Sequence, residues 1–131
     1  MEKSDLENWA NSYIRFYSNP NEQKEGSDDF WASERFMDSD IQFSELHWSV
    51  ILLITNKTED RKVLGNLAAG PLEDLIANHG SLFIERIETE SRKNPRFRCL
   101  LGGVWRSGPP EIWSRIEAAR NHESWWISIS L

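Results

Sequence analysis

Leu6, Trp9, Tyr13, Phe16 and Tyr17 recur at three- and four-residue steps, the spacing of one apolar, aromatic helix face. Ser4-Asp5-Leu6-Glu7 fits a capping box ahead of that face, and Asn19-Pro20-Asn21 stops it. Residues 18–27 then read as a polar loop. A second helix is expected from Ser27, with Asp28 and Asp29 in its first turn, carrying Phe30, Trp31 and Met37 towards Asp38-Ser39-Asp40. Phe43, Leu46, His47, Val50, Ile51 and Ile54 form a third stripe. Its run Val50 to Ile54 would also suit a buried strand, but the helical spacing reaches back to Phe43, so a helix is expected.

Thr58-Glu59-Asp60 opens the next helix, which runs into LGNLAAGPLEDLIANHG, residues 64 to 80. Gly70 and Pro71 interrupt its apolar pattern, and two accounts fit. One helix with a kink keeps Leu64, Ala68, Leu72, Leu75 and Ile76 in phase. Alternatively a new helix starts there, with Gly70 as N-cap, Pro71 at the first position and Glu73 at the third. Proline inside a helix costs about 3 kcal/mol, so the restart is favoured. Gly80 is read as a left-handed cap. A further helix from Ser81 to Lys93 is expected to bury Leu82, Phe83, Ile84 and Ile87. Asn94-Pro95 restarts the chain, with Phe97, Leu100, Leu101, Val104 and Trp105 on one face. After Ser107-Gly108-Pro109-Pro110, a last helix over Glu111 to Asn121 turns Ile112, Trp113 and Ile116 inward. Residues Trp126 to Leu131 alternate with period two and read as an extended tail after Trp125-Trp126.

The expectation is an all-α fold: about seven short helices packed as antiparallel pairs, in a bundle or a short α-solenoid, with an extended C-terminal tail. At 131 residues the chain reads as one domain, 1–131. The ordered set Phe30-Trp31-Ala32, Leu67 to Ile76, His79-Gly80, Phe83-Ile84, Ile87-Glu88, Phe97-Arg98 and Leu101 to Trp105 resembles the signature of a family of small bacterial domains of unknown function. That resemblance covers about residues 30–119 and implies a helical fold without an assigned catalytic residue. Within it Gly70, Pro71, Glu73, Asp74, His79 and Gly80 are read as structural. Glu73 and Asp74 are capping or surface carboxylates, and His79 is a helix-end residue.

Charge changes the picture of function. Residues 1–50 hold eleven Asp and Glu against four Lys and Arg, whereas residues 51–131 are nearly balanced, within a net charge of −6. An acidic half steers basic partners. The three histidines, 47, 79 and 122, lie far apart, so no metal site is expected, and no cofactor-binding motif occurs. No serine-nucleophile elbow is present, and Cys99 among Phe97, Leu100 and Leu101 reads as a buried thiol. Arg92, Lys93, Arg96, Arg98 and Arg106 form one basic cluster. Arg92 and Lys93 suit the end of a helix, and the acidic chain repels nucleic acid. The apolar runs are too short to cross a membrane, and no secretory leader is visible at the start, so a cytoplasmic protein is expected. The favoured function is a protein-binding module, with an immunity protein that occludes a toxin as its specific form. Asp28, Asp29, Trp31, Asp38 and Asp40 are the candidate partner-binding residues. The rival is a helical enzyme or ligand-binding domain with a deep pocket.

Overall fold

A computed structural model describes residues 2–19, 21 and 26–120. The expected tail, with Trp125 and Trp126, and His122 lie outside the described residues. The fold is all-α. Its helical segments are α1 (Lys3–Ser18), α2 (Phe30–Glu34), α3 (Ser44–Lys57), α4 (Arg61–Leu67), α5 (Glu73–Lys93), α6 (Pro95–Leu101) and α7 (Pro110–Ala119). Short 3-10 turns cover Arg35–Met37 and Ile41–Phe43, and a π-helical turn covers Ala68–Leu72.

Helix α1 starts earlier than its capping box implied. The Glu2 carbonyl accepts from the amides of Asp5 and Leu6, so Ser4 is already inside the first turn and caps nothing. Trp9, Tyr13 and Phe16 are buried as their spacing requires. Helix α2 starts at Phe30, because Ser27 uses its hydroxyl and carbonyl to close a turn ahead of it. The Trp9 indole then donates to the Ala32 carbonyl at 2.8 Å, and Tyr17 and Ser33 share a 2.6 Å hydroxyl contact. These two bonds fasten α2 along α1.

Segment α3 is a helix and not a strand, burying His47, Val50, Ile51 and Ile54. Asp60 caps α4 by accepting from Lys62 and Val63, and Asn94 caps α6 by accepting from Arg96 and Phe97, with Pro95 at its first position. Pro110 opens α7, which buries Ile112, Trp113 and Ile116.

Helix α1 packs on α2, α3 and α4; α5 packs on α6 and α7; α3 reaches both α5 and α6. Contacts between elements so far apart in the chain favour the bundle over a solenoid, in which each unit touches its neighbours alone. One core cluster runs through all seven helices, with Trp9, Tyr13, Phe83 and Phe97 among its fully buried side chains. Each such burial contributes about 1.5–3 kcal/mol. Two expected core positions face out. Leu82 is 52% exposed and Trp105 is 77% exposed, since the stripes run through Phe83 and Val104 beside them.

Candidate functional site: a cleft at the helix irregularity

The favoured restart at Gly70 is not what forms. Leu67, Leu72 and Glu73 all keep helical backbone angles, and the chain passes from α4 to α5 through the π turn. The wider turn puts one extra residue in the loop closed by the Glu73 amide on the Ala68 carbonyl, a five-residue step back. This resolves the proline problem. Proline at position 71 has no amide to place in the ladder, and its ring clashes with the carbonyl four residues back in an α-helix. A π turn relaxes that register. Gly70 completes the solution: a residue before proline is driven from the helical region partly by its own Cβ, which glycine lacks.

The actual break comes later. His79 has φ −138° and ψ 23°, and the helix resumes at Gly80, so Gly80 is not a left-handed cap. Its small size serves packing instead, because a Cβ there would meet Ile112 Cγ2 at 3.0 Å. The His79 Nε2 sits 2.6 Å from the Ser39 carbonyl. A carbonyl accepts only, so Nε2 carries the proton and donates. His79 thereby braces the exposed loop between the two 3-10 turns. Glu73 braces another loop, accepting from the Trp105 amide at 3.1 Å.

The π turn lines a cleft of about 240 Å³. Asn66, Ala69, Gly70, Pro71 and Asp74 form one wall, and the other is formed by Tyr13 and Tyr17 of α1, Ser33 of α2, and Phe36 and Met37 of the 3-10 turn that follows α2. A Cβ built on Gly70 meets no atom within 4 Å, so nothing in the described fold fills the space above it. Asp74 stands exposed at the rim, and partial burial among the helices raises its carboxyl above the ordinary Asp value. No described side chain makes an ion pair or hydrogen bond to that carboxylate. Burial first, then the neighbouring Tyr17, hold the Tyr13 phenol well above its usual value, so it stays protonated.

The five acidic-half candidates divide. Asp29 is spent within the fold, pairing with Arg15 at 3.0 and 3.2 Å. Trp31 is half-buried against the core. Asp28 is exposed. Asp38 and Asp40 are exposed as well, each with one oxygen accepting a local amide, from Asp40 and Gln42 respectively. They lie between Met37 and Ile41, which are 65% and 59% exposed. Met37 belongs both to this loop and to the cleft, so the two surfaces are continuous. The α1 and α2 contributors were hidden in the sequence, where Tyr13 and Tyr17 read only as core stripe.

Among the described residues no cluster of His, Cys, Asp and Glu could hold a metal ion, and no described helix is long and apolar enough to cross a membrane. The family model described as a family of unknown function (DUF6869) matches residues 19–124, most of the chain, and the chain belongs to that family. No curated protein and no solved structure gives a significant match.

Proposed function

We propose that this member of the family is a protein-binding module whose cleft receives one basic side chain of a partner. The aliphatic stem lies against Tyr13, Tyr17 and Phe36, and the charged head sits beside Asp74. The observation that carries this reading is the Asp74 carboxylate, partly desolvated and without a cation of its own. A cation from outside restores what desolvation takes away. Size argues for a side chain over a whole small molecule: drug-sized ligands occupy about 300–1,000 Å³, and this cleft offers about 240 Å³.

The rim supplies the rest of a contact surface. Met37 and Ile41 offer apolar area, and Asp28, Asp38 and Asp40 add negative charge that favours a basic partner. The specific form of this proposal is a cytoplasmic immunity protein, occluding the basic active-site rim of a toxin.

Affinity capture from the source cell tests it, using the wild type, Asp74→Asn and Ala69→Leu. The expected result is a stoichiometric basic protein retained by the wild type. Asp74→Asn weakens that capture by about tenfold or more, as loss of one member of an interfacial charge pair does. Ala69→Leu fills the cleft from a position that already carries a Cβ and abolishes capture, with helical content unchanged by circular dichroism. Equal capture by all three proteins, or an acidic partner, would sink the proposal.

A further inference from the structure

We infer that a second cleft, at the far end of α5, binds a small molecule through a phosphate group. This cavity is the larger, about 670 Å³, and lies between the end of α5, α6 and α7. Glu88, Ser91 and Arg92 project from one face of α5, Arg98 comes from α6 and Arg115 from α7.

The arginines are held, but not used up. Arg98 donates Nε to the Ser91 carbonyl at 3.0 Å, which leaves both of its terminal nitrogens available among the described residues. Arg115 grips Glu88 through Nε and Nη2 at 3.0 and 2.6 Å, leaving Nη1. Arg92 gives one bond to Thr89. Ser91 Oγ is buried and has no hydrogen-bond partner among the described residues, although the residue lines the cleft. A phosphate oxygen in the cleft accepts from the forked guanidinium donors of Arg98 and Arg115 together.

Charge points the same way. Three guanidinium groups face Glu88, Glu85 acts on Arg115 from just outside the lining, and the helix end counts as about −0.5, so the balance is about +0.5. The shape excludes a nucleic-acid track. Arg96 is turned to the Thr58 carbonyl and Lys93 lies by Glu90, so no basic stripe continues outward. Glu88 is then an internal competitor, holding Arg115 until an outside anion displaces it.

Titration by NMR and calorimetry with inorganic phosphate and with glycerol phosphate tests this, with a single-stranded oligonucleotide as the rival. Both phosphates should saturate one site with shifts at Ser91, Arg98 and Arg115. Arg98→Gln should weaken binding about tenfold, the scale of a charge-assisted pair. Glu88→Gln should strengthen it several-fold, a gain that a purely structural role for the pair does not produce. No saturation, no change in Arg98→Gln, weaker binding in Glu88→Gln, or an oligonucleotide that outcompetes both phosphates would each overturn the inference. A thermal melt of each variant confirms that it is folded before titration.

Discussion

His47 makes edge-on contacts with the rings of Trp9 and Phe36, and desolvation is the main reason its pKa lies below the ordinary value. A hydrogen bond to the Arg35 backbone opposes that shift without cancelling it. The linkage sign follows directly. Above the ordinary histidine pKa both states are neutral, and His47 costs nothing. Below it the unfolded chain takes up a proton that the folded chain resists, so stability falls as pH drops towards the folded value. Urea midpoints should therefore decline from about pH 7 to about pH 5, and His47→Gln should flatten that limb. The carboxylates act lower. Glu45 and Glu88, held down by hydrogen bonds from Arg86 and Arg115, stabilise above the ordinary Glu value and lose that contribution as pH falls through their folded values. Asp74 has the opposite sign, and its protonation begins at higher pH than for an ordinary Asp. A single residue with a local job was legible in the sequence at Asn94, which caps α6 as read, but not at Ser4, which caps nothing. Glu73 and His79 were not, because their partners Trp105 and Ser39 lie 32 and 40 positions away.

Element by element, the apolar stripe was a sound guide wherever one helix face met the core. It located α1, α3, α6 and α7, and it settled helix over strand in α3. It failed at Leu82 and Trp105, each next to a residue that does face inward. At Gly70-Pro71 the sequence admits a kinked α-helix or a restart, and a proline inside an α-helix is costly enough to favour the restart. A π turn changes the cost itself, and that option leaves no separate mark in the spacing. Glycine gave a mixed signal for the same reason. Gly108 does adopt positive φ, at 76°, whereas Gly80 answers to a neighbouring helix. Gly80→Val should accordingly press α5 away from Ile112 and destabilise the fold by about 1–3 kcal/mol, read as a lowered melting temperature.

For the whole molecule, charge and contact separate. The chain carries −6, concentrated in residues 1–50, so encounter with a basic partner should be fast at low salt and slow steeply as salt rises. On the proposed function, dissociation would be governed by the contact at Asp74 and should change much less, a contrast that stopped-flow and surface binding kinetics measure separately. The acidic bias was visible from composition alone. Its distribution was not, since only the fold reveals that Asp29 is paired while Asp38 and Asp40 remain at the surface. The cleft itself needed segments from α1 through α5 brought together, and no local pattern encodes that.

The π turn also has a meaning in terms of chain length. A helix that closes a five-residue loop where four would do carries one residue more than its path requires. Deleting Gly70 should force Pro71 into ordinary α-helical register between α4 and α5, restoring the clash that the π turn relieves and lowering stability by about 3 kcal/mol, and on the proposed function the protein should capture no partner. Relatives one residue shorter between those two leucines should have lost the proline as well, since an ordinary helix there has no place for it. Counting residues in that interval then separates family members able to form the cleft from those that keep only the fold.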